Sequence, residues 1–364
     1  MSQEILETAA QPETFRDRRI TMMMVSGVIA VVLAVAAMTL PVPYVVESPG
    51  PAINTIGKLN GHPIITVTGR ESFPASTGSL DLTTVHLNGG LPDSQINFFE
   101  ALTSWLTPSN TVYPAEMIYA PGVSQDAVNS ENSAAMTGSQ ENATAAALKA
   151  LGIDFEANLA VASIPDDGAS AGILKPDDVL LTIGAQQVSD LSVIQTVLAD
   201  GKGAPVELKV RRDGNEKTLT VTPKLGSEGK YLLGIALQNT FKFPFDVKIS
   251  LENIGGPSAG MIFALGIMDN LTEGELTGGK EFAGTGTIDP EGNVGAIGGI
   301  AQKMIGAREN GADYFLAPGA NCGDVVDHIP KGLQVIKVDT LTEAYDAVSL
   351  IGSGQDGSAL AGCK

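Results

Sequence analysis

The stretch from Ile20 to Leu40 contains no charged residue. It is about 21 positions long, close to the ~20 apolar residues needed to cross a hydrocarbon core ~30 Å thick. No other segment restricts the chain as much, because a backbone deprived of water must satisfy its own polar groups, and a helix does so within one segment. Thr21, Ser26, Gly27 and Thr39 interrupt the run without adding charge. Arg16, Arg18 and Arg19 stand just before it, and the next basic residue after it is Lys58. Basic residues stay on the cytoplasmic side. The expected layout is a cytoplasmic N-terminus over 1–19, a single transmembrane helix over 20–40, and everything after Pro41 outside the cell membrane. Pro41 and Pro43 end the helix, since each lacks a backbone donor and restricts the residue before it. A cleaved signal peptide is the rival reading, with Ala34-Val35-Ala36-Ala37 as its small-residue cleavage site. The run is longer than a signal core, which favours an uncleaved anchor.

The chain has 364 residues, enough for about two to three domains. With 43% hydrophobic and 17% charged residues it can bury a core. Its formal net charge of -19 repels phosphate backbones, so nucleic acid is not an expected partner. The charge is read as a solubility feature. Cys322 and Cys363 are the two cysteines. In an exported domain they are candidates to pair and tie the tail 351–364 to the body; two free thiols are the alternative. His62, His86 and His328 are scattered, in no pattern that suggests a zinc site or a Ser-His-Asp triad. No metal or cofactor is expected.

Between 41 and 139 the chain reads as a strand-rich region followed by a linker. Pro63–Thr68 and Gly78–Val85 are rich in β-formers and bounded by Gly and Pro. A helix is expected near 93–106 from the spacing of Ile96, Phe99, Leu102 and Leu106. Residues 107–138 read as a linker with some local helix, and an Ala-rich helix near 140–151 stops at Gly152. A strand at 159–164, a loop, turn and further strand over 168–183, a helix near 191–198, and strands at 206–211 and 217–221 follow.

Within 140–225, Ala171-Gly172-Ile173, Pro176-Asp177-Asp178 and Ile183-Gly184-Ala185 resemble the motifs of bacterial PDZ domains. Asp177 stands where the usual Gly-Asp has its glycine. The resemblance implies a small β-barrel-like domain that binds extended peptide ends by strand addition, with backbone N–H groups holding the terminal carboxylate. That loop is assigned to Leu151, Gly152 and Ile153.

The chemistry-bearing pattern lies between 240 and 350. Asn253-Ile254-Gly255-Gly256-Pro257-Ser258-Ala259-Gly260 is a glycine-rich turn running into the apolar stretch 261–268. Such a turn sets Ser258 at a helix start, near unpaired N–H donors that favour negative charge, the conditions for a nucleophile beside an oxyanion hole. A plain N-cap serine meets the same description. Further on, Ile300, Lys303, Met304 and Ala307 follow the i, i+3, i+4, i+7 spacing of a buried stripe. Burial lowers a lysine's pKa, as a general base requires; snorkelling to water is the alternative fate.

The two segments together resemble the proteolytic domain of Lon-type proteases. Gly256–Gly260, Gly284-Thr285-Gly286, Gly292-Asn293-Val294, Ile297-Gly298-Gly299, Lys303 and the strand Gly311–Pro318 occur in family order. The resemblance implies a Ser-Lys dyad hydrolase. Ser258 matches the nucleophile, Lys303 the base and Thr285 a threonine that helps hold the lysine. Backbone groups of Gly256, Pro257 and Ala259 would line the oxyanion hole. Two positions depart from the pattern: Gly255 and Thr287 stand where many members carry acids. No Gly-x-x-x-x-Gly-Lys-Ser/Thr loop occurs in the sequence, so no ATPase is expected within this chain. The combination resembles the PDZ-containing, ATPase-lacking branch of the family.

The expected fold class is therefore α+β and multidomain: a transmembrane helix, a PDZ β-barrel-like domain and a Lon-type α/β proteolytic domain. The strands around Leu80–Val85 are assigned to the proteolytic domain, with the PDZ inserted after them. The expected activity is ATP-independent extracytoplasmic serine endopeptidase, acting on protein or peptide substrates that the PDZ domain recruits or gates. Lon-type domains often form rings, so the resemblance implies a homo-oligomer. The competing class is a membrane-anchored peptide-binding scaffold with a silent Lon-like domain.

Overall fold

The computed structural model describes residues 14–251 and 254–363. Most of the expected cytoplasmic segment, Glu252, Asn253 of the glycine-rich turn, and Lys364 lie outside the described residues. The first element is helix α1, Thr14–Thr39. Its Arg18–Thr39 part has a mean hydropathy of 2.5 and none of it is buried. Its 22 residues rise about 33 Å, long enough to cross a bilayer.

Strands β1 (Pro41–Val42), β2 (Tyr44–Asn54), β3 (Ile65–Thr68), β4 (Ser79–Gly89) and β5 (Ile96–Asn97) follow. Then come α2 (Phe98–Trp105), β6 (Thr111–Pro114), α3 (Ala115–Ile118) and α4 (Gln125–Ala150). The sequence expected a helix from 93. Asn97 instead caps α2, accepting from Glu100 N while Glu100 bonds back, and Ile96 is buried in β5. The linker expected over 107–138 is largely helical. Ser124 caps α4 through Ala127 N, and residues 125–137 contain neither Gly nor Pro. The buried residues of α4 begin at Met136, so its first half offers no apolar stripe to read.

A separate unit comprises β7 (Glu156–Ser163), β8 (Val179–Ile183), α5 (Leu191–Gly201), β9 (Val206–Arg212), β10 (Asn215–Val221) and β11 (Ala236–Lys242). These strands form one sheet in the order β10-β9-β8-β7-β11. Ile194 and Leu198 of α5 pack onto Val161, Leu180, Ile183 and Leu208 to make its separate core. Asp177 has φ +67, so it adopts the left-handed conformation for which glycine is the usual choice. Asp178 is fully buried and bonds Arg212 through both carboxylate oxygens at 2.6 Å. The sheet runs past residue 225 into β11, whereas Ala143–Leu148 belong to the other core.

After β12 (Asp246–Ile249) come α6 (Gly260–Leu271), β13 (Glu281–Gly284), α7 (Ile300–Glu309) and β14 (Tyr314–Pro318). The short α8 (Cys322–Val325), β15 (Gln334–Val338) and α9 (Leu341–Gly352) complete the chain. The larger sheet has the order β15-β14-β13-β4-β2-β6. Here β4 runs parallel to β13, Ser79 facing Glu281 and Leu82 facing Gly284. The N-terminal strands and the C-terminal strands thus share one sheet. β3 also pairs with β12, from Ile65–Ile249 to Thr68–Asp246. The smaller sheet's chain leaves and returns at one neck, where the rings of Phe155, Phe241 and Phe243 sit 5.4–5.8 Å apart. Cys322 and Cys363 form a disulfide that fastens the tail beside α8. Closing a loop of that length is worth about 2–4 kcal/mol.

Helix α6 is the central beam, buried over its whole length against Leu80, Leu82, Phe282 and Leu316. Burying each of its large apolar side chains contributes roughly 1.5–3 kcal/mol. Asp269 is the misfit. Its Oδ1 accepts from Leu276 N at 2.9 Å, but its Oδ2 has no partner among the described residues. Burial pushes its pKa from 3.8 up to about 6. An acid raised in the fold binds its proton more tightly when folded, so stability falls as pH climbs from about 4 to about 6. Asp269→Asn keeps an acceptor for Leu276 and removes the charge. Thermal unfolding over a pH series is expected to show the variant more stable by about 2–3 kcal/mol at neutral pH, with the gap closing toward pH 4.

Candidate active site

The turn before α6 is held on both sides. Gly256 has φ +89, a conformation that excludes most side chains. Its N–H donates to Asn132 O of α4 at 3.0 Å, and Ser139 Oγ donates to Pro257 O at 3.0 Å. From the other side, Thr285 Oγ1 and Gly286 N donate to Ser258 O at 3.0 and 2.8 Å. Ser258 is therefore fixed two residues before α6, with Ala259 at the N-cap position. A Cβ on Gly255 would stand 2.7 Å from Asn132 Cβ, so α4 fills the space that an acidic side chain would need there.

Helix α7 brings the lysine. Its N-cap is Gly299, with φ +67, and a Cβ there would overlap Glu47 Oε1 and Val85. Ile300, Met304 and Ala307 pack on Ala283, Phe315 and Ala317. The same burial takes in Lys303, which is 3% exposed. Its Nζ lies 2.9 Å from Ser258 Oγ and 3.1 Å from Thr285 Oγ1. Loss of water drives its pKa from 10.5 down to about 8, while the negative charge of Glu47 pulls the other way. Glu47 is itself buried on β2, which raises its pKa, although a hydrogen bond with Tyr113 and the charge of Lys303 oppose that.

A cavity of about 180 Å³ opens over this pair, lined by Thr83–His86 of β4, Met136 of α4 and Gly255–Gly256. Here β4 has passed the last residue paired with β13, Leu82, so its edge toward Ser258 is free of that neighbour. His86 lines the cavity but makes no hydrogen bond with Ser258 among the described residues. No group of three His, Cys, Asp or Glu is placed to hold a metal among the described residues.

Of the three residues expected to line the oxyanion hole, Gly256 and Pro257 cannot donate and Ala259 can. Gly256 N–H is occupied by Asn132, and Pro257 has no N–H to give. The N–H groups of Ser258 and Ala259 donate to no acceptor among the described residues, and they precede the N-terminus of α6. The carboxylate loop at Leu151–Ile153 is also displaced by the structure. All three N–H groups are used in ending α4: Leu151 to Ala147 O, Gly152 to Lys149 O and Ile153 to Leu148 O. Leu151 and Ile153 pack on the main core.

Sequence reasoning missed a second such loop. Leu232-Leu233-Gly234-Ile235 leads directly into β11, the outer strand of the smaller sheet. Gly234 has φ +65, and Ser170 Oγ donates to Leu233 O at 2.7 Å. The N–H groups of Leu233, Gly234 and Ile235 donate to nothing among the described residues. The apolar-Gly-apolar sequence ahead of a strand was the available signal. It follows the rest of the domain in the chain instead of preceding it.

Two protein families match this chain. Residues 253–350 match the Lon protease (S16) C-terminal proteolytic domain family, and residues 148–222 match the PDZ domain family. The chain carries a Lon-type proteolytic domain and a PDZ domain. It is 29% identical over 193 residues to an archaeal Lon protease of Methanocaldococcus jannaschii, covering 51% of this chain and 28% of that protein. It is 38% identical over 96 residues to a Lon protease of Mesomycoplasma hyopneumoniae, covering 26% and 11%. The chain thus spans under a third of the length of these relatives. Among solved structures, a PDZ domain of an SdrC-like protein from Listeria innocua aligns at 21% identity and a TM-score of 0.21, covering 22% of this chain and 92% of that one.

The electrostatics of the Lon-type domain can be checked directly. Lysine side-chain NMR is expected to give Lys303 a titration midpoint near 8. Glu47→Gln removes the one negative charge that raises it, so the midpoint is expected to move lower still; a midpoint that rises contradicts the charge arrangement.

Proposed function

We propose that this chain is an ATP-independent, extracytoplasmic serine endopeptidase whose dyad is Ser258 and Lys303. The observation that carries the reading is the 2.9 Å contact between Ser258 Oγ and an almost fully buried Lys303 amine. A neutral amine accepts the serine proton as Oγ attacks the peptide carbonyl carbon. The negative charge that gathers on the carbonyl oxygen meets the free N–H groups of Ser258 and Ala259 ahead of α6. The ammonium then gives its proton to the leaving amine, and water attacks the acyl-enzyme with Lys303 again as base. Thr285, bonded to both Lys303 Nζ and Ser258 O, acts as a positioning residue. The substrate backbone adds to the free stretch of β4 at Thr83–His86, the edge that lines the cavity.

In this reading α1 spans the membrane with its basic end in the cytoplasm, and the two domains lie on the far side. Peptide recruitment falls to β11 and the loop Leu233–Ile235, whose unused N–H groups suit a terminal carboxylate.

The test is cleavage of an unfolded protein by the full chain. Ser258→Ala and Lys303→Met are each expected to lower kcat/KM by at least about 10³-fold without loss of the folded state. The wild-type rate is expected to rise about tenfold per pH unit below a bend near pH 8, because only the free amine is active. Cleavage that survives Ser258→Ala unchanged overturns the dyad. For the recruitment loop, peptides with free C-terminal carboxylates are expected to bind at least tenfold tighter than their amidated forms, by fluorescence polarisation. Equal binding removes the loop from that role.

A further inference from the structure

Large apolar side chains crowd the place where α1 ends. The strand β1, immediately after α1, pairs with β5: Pro41 faces Asn97 and Val42 faces Ile96. Asn97 is also the N-cap of α2, so the first turn of α2 is pinned beside the exit of α1, and the two helices touch. On the other side, Ala115 N, at the start of α3, donates to Pro43 O at 2.9 Å. Two short helices are thus bonded to the three residues that follow Leu40.

Their outward faces are apolar. Trp105 is 70% exposed, Leu106 and Met117 68% each, and Phe98 and Phe99 just over half. Ala101 is the one buried residue of α2. A soluble surface rarely gathers side chains of this size in one patch. They sit where a helix long enough to cross a bilayer leaves it, at the depth where indole and phenyl rings are most at home.

We propose that α2 and α3 form a collar that lies in the lipid interface around the exit of α1, with Trp105, Phe98, Phe99 and Leu106 inserted among the upper acyl chains. The proposal rests on α1 spanning the membrane. The contact is apolar and not electrostatic: from Glu71 to Leu148 the sequence has no Lys or Arg, while Glu100 and Glu116 lie on the two helices. An interfacial helix of this kind sinks its apolar face about 5–10 Å below the headgroups. The collar gives the exported part a second attachment to the bilayer, close to the first, so that it cannot swing freely on one flexible stalk.

Trp105 is the chain's single tryptophan and reports on the collar directly. The full chain is reconstituted in phosphatidylcholine vesicles, with and without bromine on the upper acyl carbons. Trp105 emission is expected to be blue-shifted, quenched by the brominated lipid, shielded from acrylamide, and unchanged by high salt or added anionic lipid. The triple variant Phe98→Ser, Phe99→Ser, Leu106→Ser is expected to lose at least half of the bromolipid quenching while alkaline carbonate still leaves it in the vesicles. Emission fully open to acrylamide and insensitive to bromine, in protein that resists carbonate, overturns the collar and leaves the span standing. Shielding that grows with protein-to-lipid ratio but ignores bromine also overturns it, in favour of a contact between copies. Wild-type protein that carbonate extracts overturns the span and the collar together.

Discussion

The site depends on one amine deprived of water. An ammonium moved out of water costs several kcal/mol unless it is paired. Lys303 answers in two ways. It binds its proton more weakly, by about 3 kcal/mol for a fall from 10.5 to about 8. It also keeps two hydroxyls, Ser258 and Thr285, within hydrogen-bond distance. Glu47 tempers the fall without joining the contact, because its carboxylate is engaged with Tyr113. An amine driven much lower would be a poor base, and one left at its usual value would be occupied by a proton. The glycine at 299 is part of this balance, since any Cβ there displaces Glu47 or the start of the helix that carries the lysine.

What the sequence disclosed follows from the kind of signal each element leaves. The stripe Ile300, Lys303, Met304, Ala307 is legible because a buried helix face repeats at 3.6 residues, and all four side chains are buried. The glycine-rich turn is legible because its backbone demands residues that few other structures tolerate. Helix α4 is obscure for the opposite reason. It clamps Gly256 and Pro257 through Asn132 and Ser139, polar residues that resemble any solvent-facing helix. The N–H inventory of the turn is invisible too, since which donors are spent depends on partners more than a hundred residues away. Leu151–Ile153 misled because apolar-Gly-apolar also ends a helix, and the geometry that distinguishes the two uses is tertiary. At α2 the helical spacing of Phe99, Leu102 and Leu106 was real, but the face it marks points away from the protein core.

The two folded parts differ in how each treats a strand edge. In the smaller sheet the outer strand β11 is left open beside a loop of unused donors. In the larger sheet the open length of β4 begins where β13 stops, and Ser258 stands at that point. Exposed edges are ordinarily an aggregation hazard. Here both are short, and one is recessed in a cavity under α4. The aromatic neck of Phe155, Phe241 and Phe243 keeps the inserted sheet attached at one place, so the two edges belong to bodies joined by a narrow packed contact.

The parallel pairing of β4 with β13 ends at Leu82 and Gly284, where Thr83 Oγ1 donates to Gly284 O from 201 positions away. A chain made from its N-terminus at ~5–20 residues per second therefore presents β4 roughly 10–40 s before its partner exists. For most of that wait β4 shares a sheet only with β2 and β6; Ser258 and α6 emerge shortly before β13, and Lys303 emerges after it. The inserted PDZ sheet, complete by Lys242, has time to close first. The birth order of the molecule thus delays the meeting of Ser258 and Lys303 until α7 has emerged, after the inserted PDZ sheet is complete.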